Sequence, residues 1–199
     1  EPGLINEVFQ NKLKEINLFY PPDPASKGSC SLGGNFALNA GGPKAIKYGV
    51  TSNYILNLEI VLPSGDVFWT GANTLKNSTG YNLTQLIIGS EGTLAVITKA
   101  VLKLLPLPKQ TVLMLVPFFN DIHACDAVAD IMQNSIIPSS IEFMEKDALV
   151  FVEEQKYATI PFSIHDNTSS YLLIEIDGNN KEELLKEAYQ INTILDKYE

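Results

Sequence analysis

SLGGNFALNAGG, residues 31–42, packs four glycines and two asparagines into twelve positions, with apolar residues spaced between them. Glycine lets a backbone take positive φ and approach a ligand closely, and consecutive N–H groups in such a turn form a concave anion site. Three further segments share this character: KYGVTSNY (47–54), KNSTGYNL (76–83) and IGSEGTLAVIT (88–98). None is a P-loop, because the GxxxxGK[ST] spacing is absent, and none is a G-x-G-x-x-G turn that follows a strand and opens a helix. Spacing alone leaves two readings open: tight turns of a crowded sheet, or the cradle of a phosphate-bearing cofactor.

The rest of the chain narrows the class. Its 199 residues are 45% hydrophobic, enough for a buried core. No run approaches the roughly 20 apolar residues of a membrane helix, so no transmembrane segment is expected. EPGLINEVFQ at the start has no initiator Met and no signal-type region, which suggests the middle of a longer, cytoplasmic protein. On the same ground the glycosylation sequons at Asn77, Asn82 and Asn167 are read as incidental. A net charge of −9 argues against nucleic acid as a partner. Every basic residue is Lys, so an oxyanion clamp made within the chain must use Lys, hydroxyls or backbone N–H groups. Cys30, Cys125, His123 and His165 are isolated, with no metal-ligand spacing, and no metal site is assigned.

Composition shifts near LLPLPKQ (104–110). Twelve of thirteen glycines precede residue 109, and residues 1–108 carry a net +1 against −10 for 109–199. Before the seam, Ile5, Val8, Phe9, Leu13 and Ile16 predict an apolar helical face over 5–16, and YPPDP an extended connection. Strands are expected at 54–62 and 66–70, joined by a Pro-Ser-Gly-Asp turn, then a short helix at 83–87 and a strand near 93–105. After the seam, strands at 111–118 and 170–178 and helices at 121–134, 146–155 and 179–198 follow the order of a ferredoxin-like unit, the 121–134 helix opening on an Asp cap.

PPDPASKGSCSLGGNFALNAGGPKAIKYGVTSNYILNLEIVLPSGDVFWTG, followed by KNSTGYNLTQLIIGSEGTLAVITKAVLKLLPLP, resembles the FAD-binding region of the glycolate oxidase, D-lactate dehydrogenase and D-2-hydroxyglutarate dehydrogenase family. That family lies within the vanillyl-alcohol-oxidase type flavoproteins. IEFMEKDALVFVEEQ and YLLIEIDG are similar to the start of its substrate-capping domain. The fold this implies is α+β: residues 1–108 form the second half of a vanillyl-alcohol-oxidase type FAD-binding domain, and 109–199 part of a ferredoxin-like capping domain.

The resemblance assigns FAD contacts to four places. Pro21, Pro22, Asp23, Pro24, Ala25 and Ser26 match the loop beside the flavin ring. Gly33, Gly34, Asn35, Asn39, Gly41 and Gly42 match the segment along ring and pyrophosphate, with backbone N–H groups as donors, and Tyr48 and Gly49 match a following turn. Ser90, Glu91, Gly92, Thr93, Val96 and Ile97 match the segment that meets the adenine end. The implied reaction is hydride transfer from a small 2-hydroxy acid to flavin. Electrons then pass to an acceptor, such as an iron–sulfur partner subunit, in the cytoplasm or at the inner face of the membrane.

Two departures qualify this. No pyrophosphate loop occurs in residues 1–19, and no histidine-rich motif occurs before Glu199, so the catalytic base stays unassigned and the isolated segment is expected to be inactive. Locally, Ser52 stands where the family commonly has Arg, and Asn82 where it has Asp. The competing readings are a cofactor-free scaffold subunit of an oxidase complex and a flavoenzyme of another substrate class.

Overall fold

YPPDP (20–24) offers carbonyl oxygens but few N–H groups, because three of its five residues are proline. Helix α1 (Asn6–Lys14) supplies donors to them. In the computed structural model, which describes residues 1–157, 160 and 162–198, the Asn6 amide donates to the Pro22 carbonyl at 3.1 Å. The Gln10 amide donates to the carbonyls of Tyr20 and Pro22 at 3.0 and 2.9 Å. This resets the buried face of the helix. Val8 and Ile16, expected to pack inward, are 45% and 62% exposed, whereas Asn6 is fully buried and Leu13 nearly so. Leaving a buried carbonyl without a donor costs about as much as one more aliphatic contact gains.

The chain divides into two units, Glu1–Leu107 and Pro108–Glu199. In the first, α1 is followed by β1 (Leu18–Phe19), α2 (Leu32–Leu38), α3 (Ala45–Tyr48) and a 3-10 turn over Thr51–Tyr54. Next come β2 (Ile55–Val61), β3 (Val67–Trp69), α4 (Leu83–Ile87), β4 (Val96–Leu102) and β5 (Leu105–Pro106). An antiparallel sheet runs in the order β3-β2-β4, and β1 pairs separately with β5. The expected hairpin turns at 63–66, with Gly65 at φ +90°. Leu58 and Ile60 of β2 are buried with Tyr20, Phe36, Tyr54 and Ile87. Two expectations change here. Residues 32–38 form a helix rather than a glycine loop, and the strand expected near 93–105 starts only at Val96, because 90–93 close into a turn.

The second unit runs β6 (Gln110–Phe118), α5 (Asp121–Gln133), β7 (Ser140–Glu145), α6 (Lys146–Glu154), β8 (Ser170–Gly178) and α7 (Lys181–Leu195). Its sheet order is β6-β8-β7, with β8 antiparallel to both neighbours. Strands β6 and β7 are therefore parallel with β8 between them, the split βαβ of a ferredoxin-like unit. Leu172, Ile174 and Ile176 alternate along β8 on one face and pack with Ala124, Ala127, Ile131, Leu184 and Ile191. Residues 140–145, where no strand is expected from the sequence, pair as β7 with Ile141 opposite Ile174. Asn120, not Asp121, caps α5, its side-chain oxygen accepting the Ile122 N–H at 2.9 Å. Beyond α7, the Tyr198 hydroxyl donates to Asp130 at 2.8 Å and Lys197 pairs with the same carboxylate at 3.2 Å. These two bonds hold that carboxyl below its usual range. No helix among the described residues is long and apolar enough to cross a membrane.

Ile174 is fully buried, so Ile174→Ala is expected to remove about 2–5 kcal/mol from the second unit. Amide hydrogen exchange checks this: protection falls across β6, β7 and β8 and stays unchanged in β2 and β4. Uniform loss over both sheets would contradict separate cores.

Candidate functional site

Three of the four glycine segments meet at α2. At its start, the Ser31 hydroxyl accepts the Gly34 N–H at 3.1 Å, while the N–H groups of Leu32 and Gly33 donate to the carbonyls of Leu4 and Pro2 at 2.8 and 2.7 Å. At its end, the Phe36 carbonyl accepts the Gly89 N–H at 3.0 Å and the Ala37 carbonyl the Glu91 N–H at 2.9 Å. Asn39 then turns the chain in the left-handed region (φ 51°, ψ 48°), and its side-chain oxygen accepts the Ser52 N–H at 2.8 Å. The Ala40 carbonyl accepts both the N–H and the hydroxyl of Thr51, at 3.1 and 2.7 Å. Segments 31–42, 49–54 and 88–93 are thereby one hydrogen-bonded body.

The proline loop meets it at Gly42 as well as through Tyr20, whose ring packs edge-on against Tyr54. A Cβ on Gly42 would stand 2.7 Å from the carbonyl carbon, carbonyl oxygen and carboxylate of Asp23, so the missing side chain is the room that Asp23 occupies. Pro22 is buried under α1, Asp23 and Pro24 are half-buried, and Ser26 is exposed in a turn. Gly49, at φ +77°, makes room for the Asn53 side chain, whose oxygen accepts the Val50 N–H at 2.8 Å. The Tyr48 carbonyl accepts the Tyr54 hydroxyl at 2.6 Å, and Gly41 lies against Val50. In the last segment, the Ser90 carbonyl accepts both the N–H and the hydroxyl of Thr93, with Glu91 at φ +53° and Gly92 at φ +76°. Val96 and Ile97 do not share a face: Val96 is 65% exposed and Ile97 packs on the core.

Among the residues matched to the ring and pyrophosphate segment, the amides of Gly33 and Gly34 donate within the chain, to the Pro2 carbonyl and the Ser31 hydroxyl, and the space at Gly33 is filled by Pro2, whose Cβ a Gly33 side chain would meet at 2.6 Å. Open ground remains elsewhere. A Cβ on Gly34 meets only Ser31 Oγ, at 3.3 Å, and one on Gly92 meets nothing within 4 Å. The side-chain N–H2 of Asn35, buried on α2, has no acceptor among the described residues. That donor would suit a ligand acceptor brought close past the two glycines. Reading the sequence missed the residues that hold this body together: Thr51, Asn53, and Gln85, which donates to the Ser52 carbonyl at 2.8 Å. A cluster of capping-type residues just after Gly49 was the available signal.

Comparison with known proteins finds two matching families. Residues 1–71 match the FAD binding domain and residues 107–198 match the C-terminal domain of FAD linked oxidases. The chain is 39% identical over 178 residues to the glycolate oxidase subunit GlcD of Bacillus subtilis, covering 89% of this chain and 37% of that protein. It is 39% identical over 186 residues to D-lactate dehydrogenase of Anaerostipes hadrus, covering 91% and 38%. With D-2-hydroxyglutarate dehydrogenase of Stutzerimonas stutzeri the identity is 34% over 184 residues, covering 92% and 39%. The chain thus spans less than half the length of these relatives. A solved alkyldihydroxyacetonephosphate synthase superposes with a TM-score of 0.79 at 25% identity, over 98% of this chain and 37% of that one.

Asn39→Ala combines left-handed strain with loss of the Ser52 bond and is expected to cost about 2–3 kcal/mol, whereas Asn39→Gly, free of the strain, costs about 1. Chemical denaturation of both variants checks the ranking. Tyr20, fully buried, supplies a pH test: burial pushes its phenol above the ordinary value of 10.0, against a weaker opposing pull from Thr51. A raised folded value means its contribution is intact below pH 10 and is lost as pH rises further. Tyr20→Phe should flatten that alkaline decline in the denaturation midpoint.

Proposed function

Because the chain belongs to the FAD-linked oxidases, we propose that it is the middle segment of a flavoprotein that oxidises a small D-2-hydroxy acid. The substrate is of the glycolate, D-lactate or D-2-hydroxyglutarate class. Residues 1–108 serve as the second half of its FAD-binding domain and 109–199 as the start of its capping domain. The observation that carries this reading is the open, side-chain-free ground at Gly34 and Gly92 on one hydrogen-bonded body, beside the unanswered donor of Asn35.

FAD supplies the hydride acceptor when bound. The chain's part is to hold and orient: Asn35 donates a hydrogen bond, Gly34 and Gly92 admit close approach, and the Asp23–Gly42 contact sets the proline loop at the edge of the site. The remaining matched residues, Pro22, Ser26, Gly33, Asn39, Gly41, Tyr48, Gly49, Ser90, Glu91, Thr93, Val96 and Ile97, shape the body that presents them. A glycolate oxidase relative is named as a subunit. We extend the reading to an electron-accepting partner of iron–sulfur type and to a cytoplasmic protein that works at the inner membrane face. A second reading, a cofactor-free scaffold subunit, draws support from the closed N-terminal amides of α2.

The visible spectrum of the full-length protein, followed by anaerobic addition of glycolate, D-lactate and D-2-hydroxyglutarate, separates the two. Flavin bands bleached by one acid are expected; a protein that stays colourless after added FAD points to the scaffold. Gly34→Ala tests the site. Alanine improves helix propensity by about 1 kcal/mol, and only Ser31 Oγ stands near the new methyl. The variant should keep or gain thermal stability while losing flavin content; full flavin content would remove Gly34 from the site.

A further inference from the structure

Between the start of β2, the residues after β3 and the helix α4, the segment 72–82 encloses a pocket of about 160 Å3. Its lining residue Gly71 is held by Asn57, whose side-chain oxygen accepts the Gly71 N–H at 2.7 Å and whose amide donates to Asn73 at 2.9 Å. Beside it the hydroxyls of Thr70 and Thr84, 8% and 3% exposed, meet at 2.8 Å. Gly71 permits this, since a Cβ there would stand 2.8 Å from Thr84 Oγ1 and 2.9 Å from the Leu56 carbonyl.

The protons do not balance within the chain. Two hydroxyls carry two protons, and the bond between them uses one. Thr70 Oγ1 also accepts the Leu58 N–H at 3.2 Å, and no acceptor among the described residues takes the second proton. Whichever hydroxyl donates to the other, one buried O–H of the pair is left for whatever occupies the pocket. Two exposed amides stand on the rim. The Asn77 oxygen accepts the Thr79 N–H at 3.4 Å and the Asn82 oxygen the Gln85 N–H at 3.1 Å, which turns both NH2 groups out as donors. No Asp or Glu lines the pocket, and Lys76, between the lining residues Leu75 and Asn77, makes no ion pair among the described residues.

We propose that this pocket binds the carboxylate group of a small organic acid. One buried hydroxyl proton and two exposed rim amides offer donors to it, no acid lines it, and in a chain without arginine hydroxyl and amide donors are what a carboxylate clamp is made from. The volume holds several water-sized bodies, sufficient for a carboxylate and the carbon atoms that bear it.

The test uses the full-length polypeptide labelled at threonine methyl groups, titrated with acetate and with acetamide at constant ionic strength in sodium chloride. Acetate is expected to move the Thr70 and Thr84 signals saturably, with acetamide at least about tenfold weaker, the ratio one uncompensated charge produces in a partly desolvated site. Asn82→Asp keeps a competent helix cap and sets a negative charge on the rim, so the acetate response should vanish. If that variant displaces α4, Asn77→Asp makes the same change from the other side. Equal responses to acetate and acetamide, no response to either, or an acetate response unchanged in the Asp variants overturns the proposal and leaves a pocket for water. None of these readouts involves flavin, so they stand apart from the oxidase reading.

Discussion

A seven-residue helix containing two adjacent glycines does not hold itself together. Each glycine costs about 1 kcal/mol relative to alanine, and isolated helices this short are unstable in water. Helix α2 exists because both ends are closed by other parts of the chain: the carbonyls of Pro2 and Leu4 and the Ser31 hydroxyl at its start, and the N–H groups of Gly89 and Glu91 at its end. The left-handed turn at Asn39 then delivers the backbone to Thr51 and Ser52. Removing any one of these closures leaves a polar group of a neighbouring segment unsatisfied as well. The glycine segments are therefore interdependent, and their geometry is a property of the set.

That interdependence explains what could be read from the sequence. Strands β2, β6 and β8 announce themselves through local runs rich in apolar residues, and the Pro-Ser-Gly-Asp turn through local chemistry. Helix α2 could not be read this way, because its caps lie up to some fifty residues distant and its own composition favours a loop. The inward turn of Asn6 and Gln10 was hidden for a similar reason: only the position of Pro22 makes a polar residue the better choice on a buried helical face. Strand β7 is short and a third acidic, and its pairing partner β8 lies thirty residues on.

Glycine counting also overstates a ligand site, since the same absence of a side chain serves two ends. Gly33 and Gly42 are filled by Pro2 and Asp23, which makes them joints of the fold, whereas Gly92 faces open space and Gly34 is hemmed only by the Ser31 hydroxyl. Sequence shows all four alike. Only the atoms a Cβ would meet distinguish a residue that lets the chain pack on itself from one that lets something else approach.

The uneven charge of the two units, +1 up to residue 108 and −10 beyond it, also shapes encounters. At physiological ionic strength fields reach about 8–10 Å from a surface, so an anion diffusing toward the second unit is turned away before contact while one nearing the first is not. Small anions would therefore meet the first unit more often than the second. Their arrival rate would lose this bias as salt is raised.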